Sequence, residues 1–316
     1  MYNLMDWFLR LSLLAITILL IYFWQRYRKE RKPRLLALGL FFLFAFTVGV
    51  DSLFIEPNIL LVKRQPIILN KLNQSISIAL ISDTHVGPYV NKKFIEKMVK
   101  KIDKARPDLV LFAGDYFIED EFEKYENYLD PLADLAKKYP VYAVLGNHEY
   151  GLAYNTHAFV YQSDNHEAIA QKLRSLGINI LINETADLQI KNNTVHLIGN
   201  DELWLVSAKR QKRLMGLINE SKKEQLNIVL AHNPDLIYEL PSDKVDLFLA
   251  GHTHGGQIRL PIIGALGDAM TKLPKKFYKG LSLWDGIRMF VTSGIGQSGF
   301  NVRFFNPPQV DLLEIK

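Results

Sequence analysis

The sequence predicts an α/β sandwich of two sheets, preceded by N-terminal transmembrane helices. Two observations lead to this fold class. Residues 1–50 contain two long apolar runs with few charges. From Ile76 onwards, short apolar runs rich in β-branched residues alternate with segments of helical periodicity, and strand-like runs dominate the C-terminal part. Alternating strands and helices followed by further strands are typical of a layered α/β domain.

The two N-terminal runs are long enough to act as membrane helices. The first, Trp7–Trp24, has Arg10 as its only charge, and the second, Leu35–Val50, has none. At about 1.5 Å per residue they would cover roughly 27 and 24 Å of a hydrocarbon core about 30 Å thick. A buried core helix or a cleaved signal peptide is the alternative, but two runs around a basic turn fit neither well. We therefore expect residues 1–56 to form a membrane anchor and residues 57–316 to form the main domain.

Basic residues cluster between the two apolar runs. The net charge of the chain is +5, and residues 1–34 account for all of it, because the rest of the chain holds equal numbers of basic and acidic side chains. The turn Gln25–Arg34 contains six basic side chains, which the positive-inside rule places in the cytoplasm. If both helices span, the main domain lies outside. If the second helix only lies in the interface, the main domain stays cytoplasmic.

The main domain shows a regular series of strand and helix patterns. Apolar spacing indicates a helix at Lys92–Ala105, and Gly177 ends another at His166–Leu176. Phe122–Lys138 is also helical in pattern, although Pro131 predicts a kink or break there. Strands are predicted at Ile76–Ile81, Leu109–Ala113, Val141–Leu145, Asn179–Ile182, Val195–Ile198, Asn227–Ala231, Leu247–Ala250, Gln257–Leu260, Arg288–Thr292 and Val310–Ile315. The stretch Pro57–Asn70 is interpreted as a link.

Side chains able to bind metal follow five of these strands. They are, in chain order, Asp83 with His85, Asp115, Asn147 with His148, His232, and His252 with His254. The chain has no cysteine, so any metal must be held by His, Asp, Glu or Asn. In open α/β sheets the carboxyl ends of strands meet at one crevice. We therefore expect these carboxylate, amide and imidazole groups to lie close together.

This set of side chains is the ligand chemistry of a two-metal hydrolytic site. Imidazole and carboxylate suit Zn, Mn, Fe and similar ions. Two ions about 3.5–4 Å apart can share a carboxylate, activate a water and clamp a phosphoryl oxygen. Each motif alone is more often a turn or a structural histidine, but five in order, each ending an apolar strand, are not expected by coincidence. For His157, His166 and His196, which lie outside the motifs, a structural role is the simpler interpretation.

Taken together, the motifs resemble a known family. The order Asp83-x-His85, Gly114-Asp115, Gly146-Asn147-His148-Glu149, His232, Gly251-His252-x-His254 is similar to the signature of the calcineurin-like metallophosphoesterase superfamily. The resemblance covers the chain from about Ile76 to the C-terminus and implies a two-sheet αββα sandwich. The Gly-His-Thr-His-Gly-Gly-Gln motif, the Arg-Leu-Pro after it, and the closing Arg303-Phe-Phe-Asn-Pro-Pro resemble the bacterial membrane-associated branch. That branch includes phosphodiesterases and chlamydial-type UDP-2,3-diacylglucosamine pyrophosphatases.

The resemblance also implies a role for each motif residue. One divalent metal would be held by Asp83, His85 and His254, the other by Asn147, His232 and His252, with Asp115 bridging the two. His148 would be a catalytic residue beside the scissile phosphate, where it steadies charge or protonates the leaving group. Metal-bound water would be the nucleophile. No ligand of the family pattern is missing, so a non-catalytic membrane interaction protein is not expected.

The stretch Tyr150–Asn165 differs from the family pattern, in which the chain runs more directly into the following helix. A long loop beside an active site is often a lid or a substrate contact, while the alternative is a surface excursion. Tyr150, Tyr154 and His157 are the candidate substrate-binding residues of this loop.

These expectations define a leading function and its alternatives. The leading hypothesis is a metal-dependent hydrolase of a phosphodiester or pyrophosphate bond in a membrane-associated or lipid-linked substrate, such as UDP-2,3-diacylglucosamine. The chemistry of that lipid belongs on the cytoplasmic face, whereas the charge pattern favours a main domain outside. An exterior phosphodiesterase or phosphatase of broad specificity is therefore the alternative. A nuclease is not expected, because the neutral main domain lacks a basic stripe for nucleic acid.

Overall fold

The structure is a computed structural model that describes residues 2–69, 71–118, 122–155, 158–161, 163–205 and 208–316. Its α-helices are α1 (Tyr2–Glu30), α2 (Pro33–Val50), α3 (Lys92–Ala105), α4 (Phe122–Tyr125), α5 (Ala133–Ala136), α6 (His166–Ser175) and α7 (Ala208–Asn219). Helix α2 continues as a π-helical turn, Asp51–Ile55, and a 3-10 turn, Glu56–Asn58. Further 3-10 segments lie at Glu126–Leu132, Pro234–Glu239, His254–Gly256 and Lys275–Phe277.

The described strands all lie in the main domain. The described strands are β1 (Leu61–Ile67), β2 (Ile76–Ile81), β3 (Leu109–Ala113), β4 (Val141–Val144), β5 (Leu152–Asn155), β6 (Ala158–Tyr161), β7 (Asn179–Ile180), β8 (Glu184–Ile190), β9 (Asn193–Gly199), β10 (Leu226–Leu230), β11 (Leu247–Ala250), β12 (Arg259–Leu260), β13 (Gly264–Ala265), β14 (Gly280–Trp284), β15 (Ile287–Val291) and β16 (Gln309–Ile315).

The described strands form two six-stranded sheets and two small hairpins. The first sheet has the order β1-β16-β2-β3-β4-β7, in which β2, β3, β4 and β7 run parallel. The second has the order β14-β15-β11-β10-β9-β8, with β9, β10, β11 and β15 parallel. Strand β16 pairs antiparallel with β2 and parallel with β1. The hairpins are β5–β6 and β12–β13.

Alternate residues of the central strands pack into different layers. In β2, Ile78 and Leu80 face the second sheet, where they share a buried cluster with residues such as Ile228. Ala79 and Ile81 belong to a second cluster that includes the apolar faces of α3 and α6. A third cluster lies between the outer face of the second sheet and α7. The period-2 alternation of strands thus produces the predicted αββα sandwich, which is confirmed.

The N-terminal helices form a hairpin whose ends differ from the predicted ones. Phe23 stacks on Phe42 with ring centroids 5.5 Å apart, so α1 and α2 lie side by side. The basic segment that the sequence suggested as a turn is helical up to Glu30, and the chain reverses at Arg31, where φ is +55°. Two stretches, Trp7–Glu30 and Pro33–Asn58, are long and apolar enough to cross a membrane, a test that a signal sequence or a core helix also passes. Their most apolar windows are 0% and 17% buried within the chain, unlike a core helix.

Several predicted elements are wrong in detail. Residues 61–67, interpreted as part of a link, form β1, because their backbone pairs with the C-terminal strand. The helical stretch 122–138 is broken, as Pro131 predicts, into two short α-helices and a 3-10 segment that contains Pro131. The stretch 150–165 contains the β5–β6 hairpin. Strands β8 and β14 and helix α7 were not predicted.

Candidate metal centre

The metal-capable residues lie at the carboxyl ends of parallel strands in both sheets. Asp83 and His85 follow β2, Asp115 follows β3, Asn147 and His148 follow β4, His232 follows β10, and His252 and His254 follow β11. Because the two sheets pack face to face with these ends together, the structure brings all eight residues to one place. Three groups of His and Asp side chains there could each hold a metal ion, because the ligand atoms within each group lie within 4.8 Å of one another.

One group consists of Asp83, His85 and His254. The Nε2 atoms of His85 and His254 are 3.2 Å apart, and Asp83 Oδ1 lies 3.5 Å from His254 Nε2. The other carboxylate oxygen of Asp83 accepts the backbone N–H of His252 at 3.1 Å, which joins this group to the second sheet. All three side chains are buried.

The second group lies around His232 and His252. His232 donates from Nδ1 to the carbonyl of Ala113 at 2.7 Å, which leaves its Nε2 facing Asp115 Oδ2 at 3.1 Å. His252 Nδ1 lies 3.2 Å from His232 Nε2 and 3.1 Å from Asn147 Oδ1. The amide of Asn147 is oriented by donating to the carbonyl of Leu152 at 2.6 Å.

Asp115 lies between the two groups. Its Oδ2 is 3.5 Å from His85 Nε2, on one side, and 3.1 Å from His232 Nε2, on the other. Its Oδ1 accepts the backbone N–H of His148 at 3.1 Å. The ring of His148 is partly exposed, packs edge-on against His85 at 4.7 Å, and places Nε2 4.0 Å from Asp115 Oδ2.

Burial and mutual charge shift the pKa values of these groups in different directions. Burial first, then His148, lowers the pKa of His85 to about 3, and burial followed by His232 lowers the pKa of His252 to about 3. Burial raises the pKa of Asp83 to about 6. For Asp115 burial acts upward, but His232 and His148 outweigh it and hold the pKa well below its usual range.

The donor set fits a pair of divalent cations. Asp83 Oδ1 is buried and has no hydrogen-bond partner among the described residues, which is costly for a carboxylate in a protein interior. The Nε2 atoms of His85 and His254 lie 3.2 Å apart, and burial lowers the pKa of both rings, which favours neutral imidazoles that can offer a lone pair to a cation. A cation between such groups would satisfy both the carboxylate and the ring nitrogens.

Glu149 is part of a motif in the sequence, but its role became evident only from the structure. Its carboxylate accepts the backbone N–H groups of Asp115 at 2.9 Å, Gly146 at 2.8 Å and Tyr116 at 2.8 Å. It therefore joins the turn after β3 to the turn after β4. Burial, then Asp115, raises the pKa of Glu149 to about 8, while the N–H donors act in the opposite direction. A side chain at Gly146 would overlap the carboxylate of Asp115, which explains the glycine in this motif.

Arg303 is a second residue whose contribution the sequence did not reveal. Its guanidinium is fully buried and donates to the carbonyls of Ser293 at 2.9 Å and Asn306 at 2.9 Å, and also to those of Gly294 and Gly296. The backbone of Gly296 in turn donates to the carbonyl of Asp83 at 2.6 Å. Arg303 thus holds the C-terminal loops against the first metal group.

The structure describes the three candidate substrate-binding residues to different extents. Tyr150 is buried, stacks on His166 with centroids 4.4 Å apart, and donates its hydroxyl to Asp201 at 2.5 Å, so it has a clear packing role. Tyr154 lies in β5, where the structure describes the backbone alone. His157 lies outside the described residues. A role of these residues in substrate binding stays a prediction.

Comparison with known proteins agrees with this geometry. The profile of the calcineurin-like phosphoesterase family matches residues 76–256, more than half of the chain, and these residues contain every ligand position described above. The chain belongs to the calcineurin-like phosphoesterase family. It is a metal-dependent phosphoesterase of a family that uses a dinuclear centre of divalent ions.

Individual relatives show how far the similarity extends. Phosphodiesterase YaeI of Escherichia coli is 29% identical over 238 residues, which cover 75% of this chain and 81% of that protein. An uncharacterized metallophosphoesterase of Helicobacter pylori (strain J99) is 32% identical over 259 residues, 80% of this chain, although the matched region spans only 63% of that relative. The crystal structure of a dimetal phosphatase from Danio rerio aligns with a TM-score of 0.42 at 14% identity, covering 70% of this chain and 88% of that one.

Proposed function

We propose that this phosphoesterase hydrolyses a phosphodiester or pyrophosphate bond in an amphiphilic, membrane-associated substrate. The observation that carries the proposal is a complete donor set next to the end of an apolar helix. The backbone N–H of Arg303 donates to the carbonyl of Ser52 at 3.0 Å, and Phe305 donates to Glu56 at 2.8 Å. A site this close to a membrane helix meets amphiphilic substrates at a raised local concentration.

The proposed ligand sets are those that the sequence implied. Asp83, His85 and His254 would hold one ion, Asn147, His232 and His252 the other, and Asp115 both. When bound, the ions would supply Lewis acidity and an activated water. Support comes from the 3.1 and 3.5 Å distances between Asp115 Oδ2 and histidine nitrogens of both groups.

His148 is proposed to act on the substrate rather than on a metal. Its Nδ1 atom is buried and has no hydrogen-bond partner among the described residues, and its backbone is held by Asp115. A positioned imidazole can donate a hydrogen bond to a phosphoryl oxygen or a proton to the leaving group.

A lipid-linked pyrophosphate such as UDP-2,3-diacylglucosamine is the specific candidate, and the test is a substrate panel. Purified full-length protein would be offered a bis-nitrophenyl phosphodiester, a nitrophenyl phosphate monoester, and UDP-2,3-diacylglucosamine in mixed micelles. We expect hydrolysis of the phosphodiester and faster hydrolysis of the lipid, with Asp115→Asn as the inactive control. Turnover of the soluble diester without any turnover of the lipid would refute the lipid-linked substrate and leave the phosphodiesterase.

The second candidate is an exterior phosphodiesterase of broad specificity. Six basic side chains at the α1–α2 junction favour it, because the positive-inside rule would keep that junction in the cytoplasm and the main domain outside. The relative named as a phosphodiesterase supports the same bond type. For this candidate we expect comparable rates on soluble and lipid-linked diesters.

A further inference from the structure

The hairpin β12–β13 carries an exposed apolar tip. Ile262 is 108% exposed and has a φ of +70°, and its neighbour Ile263 is 70% exposed. A β-branched residue in the left-handed region is strained, and two isoleucines in water lose the benefit of burial. Two residues separate the hairpin from the preceding His254–Gly256 segment, and Arg259 at the base of the hairpin donates to the carbonyl of Gly255 at 2.6 Å, so this base lies beside the metal centre.

Neighbouring loops expose further large apolar side chains. Met270 is 43% exposed with φ +52°, and Phe305 is 58% exposed with φ +50°, while Phe300 is 43% exposed. The loop around Phe305 is joined to the hairpin, because Arg259 donates its backbone N–H to the carbonyl of Phe304 at 2.9 Å. Several apolar side chains therefore lie on connected segments, which on a soluble protein usually indicates an interaction site.

The same loops are joined to the end of the second N-terminal helix. The carboxylate of Glu56 accepts the backbone N–H groups of Phe305 and Asn306. Phe54 and Ile55, in the turn before Glu56, are 46% and 49% exposed and lie within the apolar stretch Pro33–Asn58. The exposed apolar side chains thus continue from this stretch into the catalytic domain.

Charge indicates what covers this surface. Between Arg259 and Lys279 the chain has five basic residues and one acidic residue, Asp268. Lys272, Lys275 and Lys276 are exposed. Basic side chains beside apolar ones match an interface of anionic headgroups over hydrocarbon.

We propose that Ile262, Ile263, Met270, Phe300 and Phe305 form a membrane-contact face that lies in the headgroup region of the bilayer entered by α2. The face would hold the opening of the metal centre at the level of lipid headgroups. This inference rests on the membrane association in the proposed function. A second copy of the chain or a soluble protein on the same face would be a different result, which the following experiment distinguishes.

The test uses the absence of cysteine in the chain. Ile263→Cys in the full chain is labelled with an environment-sensitive dye and reconstituted into vesicles of phosphatidylcholine and phosphatidylglycerol. Ile68→Cys is the matched control, because Ile68 is 59% exposed and follows β1 at the far end of the first sheet from Asp83. We expect spin-labelled lipid to remove most of the dye fluorescence at position 263 and little at position 68.

Each other outcome overturns the proposal in a recognisable way. Equal, weak quenching at both positions in protein that floats with vesicles would refute the membrane-contact face and leave the proposed function intact. A dye at 263 that is shielded from aqueous iodide in detergent, and not quenched by lipid, would indicate a protein partner instead. Protein that does not float with vesicles would refute both the membrane-contact face and membrane association. Hydrolysis of the soluble diester would then still show whether the proposed reaction occurs.

Discussion

At the scale of single residues, the centre depends on backbone conformations that side chains rarely adopt. Positive φ angles of 41–68° occur at Asp83, His85, Asp115, His252 and His254. Such conformations cost about 1–3 kcal/mol each and persist where surrounding contacts determine them. Here the contacts are backbone hydrogen bonds, such as those from Asp83 N to Gly114 O at 2.9 Å and from His85 N to Asp115 O at 3.2 Å. These backbone conformations bring the ligand atoms of the five side chains close together.

Replacing Asp115 by Asn tests its position between the two groups. The variant would lack the negative charge that Asp115 places 3.1 Å from His232 Nε2 and 3.5 Å from His85 Nε2. Metal binding should therefore weaken in both groups. We expect the loss of most activity and a fall in bound metal, measured by elemental analysis of purified protein. Asp108→Asn is the control, since Asp108 lies at the opposite end of β3, where it accepts from Ser77. Wild-type turnover in Asp115→Asn would contradict the two-metal assignment.

Replacing His148 by Ala separates catalysis from metal binding. If His148 acts on the phosphate, the variant should keep its metal and lose rate by about 10²–10⁴-fold, as general acid–base groups do. Metal content and kcat measured on one preparation decide the matter. His196→Ala is the control, because His196 is buried on β9 and pairs with Asp187 at 2.6 Å. Loss of metal from His148→Ala would show that His148 is a ligand.

Glu149→Gln tests the junction between the two turns. In its ionised form the Glu149 carboxylate offers only acceptors to its three backbone donors, whereas an amide must direct its N–H₂ group at one or two of them. A mismatched buried donor costs about 1–3 kcal/mol. We expect thermal unfolding at a lower temperature and reduced activity. Unfolding and activity equal to those of the wild type would show that the turns are held by other contacts.

The sequence predicted the ligand candidates because their chemistry is visible in residue type and order. It could not predict Glu149 as the residue joining two turns, since a carboxylate that accepts backbone N–H groups has no pattern of its own. Arg303 was similarly hidden: a basic residue is normally exposed, and only the tertiary structure surrounds it with carbonyl groups.

At the scale of elements, the end of α2 is built into the catalytic domain. Ser52, Leu53 and Glu56 are buried, and Asn306, which Glu56 holds, donates its side-chain amide to the carbonyl of His254 at 2.7 Å. The helix end is thus linked to a candidate metal ligand through one residue. The predicted division into residues 1–56 and 57–316 stays a prediction, but a cut at Pro57 would remove these contacts.

Glu56→Ala in the full chain tests this link. Two backbone N–H groups would lose a charged acceptor, so the free energy of unfolding should fall by about 2–3 kcal/mol, and activity should decrease because His254 is less well held. Glu314→Ala is the control, as its surface ion pair with Arg64 at 2.7 Å should contribute about 1 kcal/mol or less. Equal effects of the two changes, measured by thermal unfolding, would contradict the structural role of Glu56.

The elements that the sequence predicted well are those with a strong period and clear ends. The helix at Lys92–Ala105 has the predicted bounds, with Asn91 capping it by accepting from Phe94. Strand β1 was missed because its residues, Leu61–Ile67, are mostly polar or exposed and, among the described strands, pair only with β16 at the sheet edge. Pairing between the first and last strands of the main domain is a long-range property that no local pattern contains.

At the scale of the whole molecule, the antiparallel helix hairpin predicts on which side of a membrane each part of the chain lies. If α1 and α2 both span, Arg31 and the catalytic domain lie on opposite sides of the membrane, and the positive-inside rule predicts that Arg31 lies in the cytoplasm.

Cysteine labelling tests this topology. Because the chain lacks cysteine, Arg31→Cys and Lys137→Cys each provide a single labelling site, and Lys137 has a side chain that is 72% exposed. In intact spheroplasts, an impermeant maleimide should label position 137 and spare position 31 until lysis. The reverse pattern would place the catalytic domain in the cytoplasm and favour a lipid precursor as substrate over the exterior phosphodiesterase. Protection of both positions would show that α2 does not span, because its two ends would then lie on the same side.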